Sequence, residues 1–156
     1  MNPIDVMRYG HRQVMHSVDQ FRGDDWTTIA LGVWTAKDLV GHLGAFEVRF
    51  GEVLATFAGI DPVTNLRAVS PATFNDDQAA IRKDWTVEQV LDEFRQAHDD
   101  VMKRAAELPA ARWSEVGTIP WYGAEYSLED LCVYQIYGHK REHEPQLSKV
   151  LERPGR

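Results

Sequence analysis

A single cysteine among 156 residues leaves no internal disulfide to staple the fold. Cys132 standing alone fits a reducing compartment. Positive charge is also scarce: 17 Lys and Arg face 24 Asp and Glu, for a net charge of −7. No long basic run occurs either, which argues against a nucleic-acid partner or an anionic membrane surface, since both need a basic patch. No apolar run approaches the roughly 18 residues of a membrane span. Residues 1–13 lack the apolar stretch of a signal peptide, so the expected location is the cytoplasm. Internal repeats and low-complexity segments are missing. There is no G-x-x-x-x-G-K phosphate loop, no C-x-x-C pair and no Ser-His-Asp order signature. No stretch alternates strongly enough to predict a sheet.

What is present is a globular composition, 44% hydrophobic and 26% charged, of a size usual for one domain over 1–156. Four long segments carry helical periodicity. The first follows Asn2-Pro3, a cap residue and a first-turn proline, with a stripe of Ile4, Met7, Val14, Val18 and Phe21. Gly23 and Asp24-Asp25 mark its predicted end. The second opens at Thr35 with Asp38 three residues on. It repeats Leu39, Leu43, Phe46, Phe50, Val53 and Phe57, and is predicted to stop at Gly59. The third opens at Thr86 with Gln89 and runs through Val90, Leu91, Phe94 and Val101 to Leu108, ahead of Pro109. The fourth opens at Ser127 with Asp130, and its stripe is Leu128, Cys132, Ile136, His139, His143, Leu147 and Val150. Two long connections remain. One, over 60–85, holds Pro62, Pro71 and a short predicted helix near Asp77 to Lys83; the other spans 109–126. Four amphipathic helices bury their stripes most simply as an all-α bundle, and the long connections permit a crossover.

The chemistry sits in the histidines. His139 and His143 are four apart on one predicted helix face, so both imidazoles can reach one metal ion. Both occupy an apolar stripe, where two adjacent imidazoles without partners are costly to bury and cannot both be charged cheaply. A shared metal removes both difficulties. His42 falls three residues after Leu39 and four before Phe46, so it too faces the core. Gly41 and Gly44 beside it allow a neighbouring helix to approach closely. Three neutral nitrogen donors suit zinc, nickel, iron or copper rather than magnesium or calcium. Three protein ligands also leave a coordination position for water or substrate, as catalytic sites do. The competing reading is that these are hydrogen-bonded core histidines.

These segments resemble a family. Trp34 to Leu43, with Phe46-Glu47 following, is similar to the second helix of the DinB-like superfamily, and Tyr137 to His143 is similar to its last helix. The resemblance implies a four-helix bundle with up-down-down-up topology, often a homodimer. It also implies a divalent metal, zinc or nickel first, with iron or copper as alternatives, held here by His42, His139 and His143. Related proteins include bacillithiol transferases, mycothiol-dependent isomerases and metal-dependent hydrolases. The implied function is therefore a thiol S-transferase, with a low-molecular-weight thiol as cosubstrate, or a hydrolase, acting on small electrophilic or toxic compounds. The alternative is a dimeric stress-response protein that binds metal or a ligand without turnover.

Other residues compete for roles. His139 to His143 also reads as H-x-x-E-H, a peptidase signature with Glu142 as base, but only thirteen residues follow His143, too few for the further acidic ligand and the cleft. Glu142 and Glu144 sit about 100° to either side of His143 and read as solvated carboxylates or as acceptors for a ligating imidazole. His11 and His98 lie on apolar stripes, either lining a pocket or serving as hydrogen-bonded core residues; a fourth ligand such as His11 would favour a closed structural site. Cys132 lies two turns before His139, about 10 Å along the axis, too far to ligate. Trp113, Trp121, Tyr122 and Tyr126 either cover the bundle end or wall the metal pocket.

Overall fold

A computed structural model describes residues 2–61 and 71–156. The sequence reading of Pro62 falls outside them. The described chain is mostly helical. Helix α1 spans Pro3–Val18, α2 Ala36–Phe57, α3 Pro71–Arg82, α4 Val87–Glu107 and α5 Ala110–Ser114. A last helical run comprises α6 (Leu128–Leu131), a π-helical stretch Cys132–Tyr137 and α7 (Gly138–Leu151). No helix among the described residues is long and apolar enough to cross a membrane.

The helices start where the side chains can satisfy the first free backbone N–H groups. Asn2 accepts from the Ile4 N–H at 3.0 Å. Thr35 and Asp38 exchange hydrogen bonds of 2.9 and 3.2 Å, Thr86 and Gln89 bonds of 2.8 and 3.1 Å, and Ser127 and Asp130 bonds of 2.8 and 3.2 Å. All three reciprocal caps were visible as Thr or Ser followed three residues later by Asp or Gln. Gly59 ends the turn after α2 at φ +73°, a conformation that disfavours other residues.

Four expectations need correction. Helix α1 ends at Val18, ahead of the expected end at Gly23 and Asp24-Asp25, and those residues open a short 3-10 turn, Gly23–Thr27. A small antiparallel pair, β1 (Ile29–Leu31) with β2 (Trp34–Thr35), stands where no sheet was expected; strands of three and two residues are too short to show alternation. Helix α3 begins at Pro71, well ahead of Asp77, because proline suits a first turn. The last helix is not uniform: its wide π turn precedes the two histidines.

Packing joins α2 to α4 most extensively, then α1 to α7, α2 to α7 and α1 to α4, so the contacts among the four long segments close into a ring. Two buried apolar clusters fill it. One gathers Met7, Phe50, Leu54, Val101, Leu128 and Ile136; the other Val14, Leu39, Leu43, Val90, Phe94 and Leu147. The predicted role of Gly41 and Gly44 holds. A Cβ on Gly44 would lie 3.2 Å from Glu93 Oε1 and 3.7 Å from the Phe94 Cα, and one on Gly41 would lie 3.2 Å from Arg82 Cδ. The two glycines thus let α3 and α4 close on the turn of α2 that carries His42.

Candidate metal centre

His42 projects from the second turn of α2, and His139 and His143 project from successive turns of α7. His139 and Lys140, just past the π turn, both point inward, the first toward His42 and the second toward Glu47. One ring-nitrogen atom from each of the three histidines lies within 4.8 Å of the others, and among the described residues no other trio of His, Cys, Asp or Glu converges this way. His139 Nε2 is the hub, 2.7 Å from His42 Nε2 and 3.0 Å from His143 Nε2. The three rings stand nearly perpendicular to one another, at 75–84°. His42 and His143 are buried and His139 half-buried.

The protonation states available to this trio are restricted. Burial, then the proximity of His143, lowers the pKa of His42 to about 4. Burial, then His42, His143 and Lys140, lowers that of His139 to about 3. Both rings are therefore neutral near pH 7. Gln146 Oε1 lies 2.7 Å from His143 Nδ1. A carbonyl oxygen only accepts, so Nδ1 donates this bond, and in the neutral ring Nε2 then presents its lone pair. His139 Nε2 offers either one proton or one lone pair to two close neighbours on different sides. Every such arrangement leaves a nitrogen–nitrogen approach poorly satisfied. A cation at the centre, accepting three lone pairs, satisfies them all, so the donor set fits a divalent transition metal.

Trp34 packs on His42 with ring centroids 4.8 Å apart, and Phe46 packs on His42 at 5.0 Å and on His139 at 4.3 Å. These two residues, missed as candidates, wall the trio. The 109–126 aromatics behave differently. Trp113 is buried in the apolar core, Tyr122 packs at a tilt on Tyr126 with centroids 4.9 Å apart, and Trp121 lies against Arg49, which is linked to the trio through Phe74 and Phe46. The Arg49 guanidinium lies over the Phe74 ring at 5.0 Å, and Phe74 packs on Phe46 at 5.0 Å.

The remaining candidates fall outside the trio. Glu142 is exposed, and Glu144 accepts from Ser17 Oγ at 2.8 Å. Cys132 is buried in the core with its thiol pushed up to about 12, chiefly by burial, and it is not a member of the trio. His11 and His98 join a second polar cluster to which each of the four long helical segments contributes. Glu47 of α2 takes a hydrogen bond from His98 Nδ1 of α4 at 2.9 Å and an ion pair from Lys140 Nζ of α7 at 2.7 Å. His11 of α1 stacks flat on His98, with centroids 3.8 Å apart. Sequence reasoning overlooked Glu47 and Lys140. The available signal was their register: Glu47 lies four after Leu43 and seven before Leu54, and Lys140 four after Ile136 and seven before Leu147, all buried. Gln146 was overlooked as well, although it lies one turn from His143.

The family model of the DinB superfamily matches residues 8–146, a span that contains all three histidines. Neither the curated proteins nor the solved structures compared with the chain gave a match.

Proposed function

The chain belongs to the DinB superfamily, and on that footing we propose that it is a metal-dependent enzyme, a thiol S-transferase acting on small electrophilic compounds. The observation that carries the reading is the convergence of three imidazole nitrogens with no fourth His, Cys, Asp or Glu of the described residues in the group. His42, His139 and His143 would hold the ion, zinc or nickel first, with iron or copper as alternatives. Such an ion lowers the pKa of a bound thiol or water and polarises an electrophile. Gln146 fixes the tautomer and direction of His143. Trp34 and Phe46 keep water from two sides of the trio and offer an apolar wall to a substrate.

Thiol transfer is favoured over hydrolysis by the state of the nearby carboxylates. Glu47 is committed to Lys140 and His98, Glu144 to Ser17, and Glu142 is exposed. Hydrolysis calls for a base to manage the attacking water, whereas a thiolate needs little activation. The proposal extends to a single domain over 1–156 with its long segments in an up-down-down-up four-helix bundle, and to a cytoplasmic homodimer. Support for the bundle is the closed ring of contacts among those segments.

The test has two stages. Elemental analysis of untagged protein by plasma mass spectrometry should find about one zinc, nickel, iron or copper per chain; no metal, even after reconstitution, would overturn the reading. The loaded protein is then given a low-molecular-weight thiol with an activated aryl chloride, and separately an activated aryl ester alone. Thioether formation supports the transferase, and ester cleavage without thiol supports a hydrolase instead. Two variants sharpen the site. Gln146→Leu should weaken metal binding about 10–100-fold, the usual cost of losing an outer partner; unchanged affinity by competition with a chelating dye would remove Gln146 from the site. Cys132→Ser should leave metal content unchanged, and metal loss in a folded variant would show the thiol to be a ligand.

A further inference from the structure

Arg49 follows His42 by seven residues, so it stands two turns further along the same face of α2, with Phe46 between them. Its guanidinium lies over Phe74, which packs on Phe46, the ring that in turn packs on His42 and His139. A continuous chain of ring contacts thus connects Arg49 to the trio. Trp121 lies on the same guanidinium at 5.6 Å.

Arg49 differs from the other arginines that stack on aromatic rings. Arg82 lies over Trp85 and is also bound by both oxygens of Glu93, at 2.6 and 3.0 Å. Arg112 lies over Phe57 and also pairs with Glu115. Arg49 has no carboxylate partner among the described residues, and its Nε is buried without a hydrogen-bond partner. A guanidinium keeps its charge and points its donors in its own plane, and ring faces supply no acceptor oxygen. Burial moreover lowers the pKa of Arg49, so this cation is held at a cost that no carboxylate among the described residues offsets.

We propose that Arg49 is the anchor for a carboxylate on the substrate or cosubstrate, whose reacting end then lies at His42, His139 and His143. The enzyme would accordingly select anionic small molecules over neutral ones of the same length. This rests on the function proposed above for its reacting end, while the anion site can be tested with or without metal.

The probes are ω-mercaptohexanoate and ω-mercaptohexanol, which differ only in the terminal carboxylate. Each is titrated calorimetrically into cobalt-loaded and metal-free protein. The acid should bind about tenfold or more tightly than the alcohol, the usual scale of a hydrogen bond to a charged group. Arg49→Leu should bring the ratio close to one without changing alcohol binding, and Arg49→Lys should keep part of the preference. Equal binding of the two probes to the wild type overturns the proposal, as does a preference that survives in Arg49→Leu or the failure of both probes to bind. If cobalt is not taken up but the metal-free protein still prefers the acid through Arg49, the metal reading fails and the anion site stands.

Discussion

His139→Ala is expected to lose most of its metal while keeping its fold. His139 Nε2 is the atom the other two imidazoles share, at 2.7 and 3.0 Å, so its removal leaves two donors separated by the gap it filled. The fall in affinity should exceed the 10–100-fold expected of Gln146→Leu, because a direct ligand is lost and not its support. The fold should survive for two reasons. Alanine is the best helix former, and the deleted ring is half-buried and held close to other nitrogens at a cost. Circular dichroism should therefore overlay that of the wild type, while plasma mass spectrometry finds far less than one metal per chain. His42→Ala/His139→Ala should abolish binding. Stoichiometric metal in folded His139→Ala would sink the site assignment. A pH titration adds a signed expectation. Protons compete for the lone pairs only as pH falls toward about 4 at His42 and about 3 at His139, below the ordinary 6.5. Metal should therefore persist into mild acid and be released below that. Release near 6.5 would contradict the buried, neutral state of these rings.

The starts of α2, α4 and α6 could be read from the chain because a capping box is local: Thr35 with Asp38, Thr86 with Gln89, and Ser127 with Asp130 need no distant partner. The trio was legible for a related reason. Helical spacing sets His139 beside His143, and the stripe on α2 turns His42 to the same interior. What could not be read depends on which helix meets which. Glu47 and Lys140 fall in register with buried stripe positions, but only the meeting of α2 and α7 shows that they pair, at 2.7 Å. The π turn over Cys132–Tyr137 leaves no mark in the hydrophobic period, since Cys132, Ile136, His139 and His143 fit an ordinary helix within its tolerance. An aromatic wall in the 109–126 connection is one of two readings of the sequence, beside cover for the bundle end, because aromatics cluster there. The wall is instead built from Trp34 and Phe46, beside or within the helix that carries His42, and Trp113 went to the core.

Glu47→Leu should destabilise the protein by about 3–5 kcal/mol, the usual cost of stripping one partner from a buried ion pair. The Glu47 side chain is 1% exposed and that of Lys140 3%, so water cannot replace the lost carboxylate. The substitution leaves an ammonium ion and the His98 N–H without their acceptor. Lys140→Met in the same chain should recover much of the loss, because a neutral core at this point has no charge to solvate. The double variant should stay within about 1–3 kcal/mol of the wild type, the residue being the unpaired His98 N–H. Urea midpoints at constant slope and matched metal content measure these differences. Losses that simply add would show that Glu47 and Lys140 are not coupled. The acid limb gives a second check. Burial raises the Glu47 pKa, but Lys140 and His98 outweigh it and hold the group at about 2, against 4.5 when free. The stability it supplies is thus complete above 4.5 and is lost as pH falls from there toward about 2. Neutral His11, lowered by burial and then by His98 to about 3, contributes fully above 6.5 and progressively less below it. The wild type should begin to weaken below 6.5 through His11. The gap between wild type and Glu47→Leu should hold until 4.5 and then close, as protonation of the carboxyl does to the wild type what the substitution does to the variant.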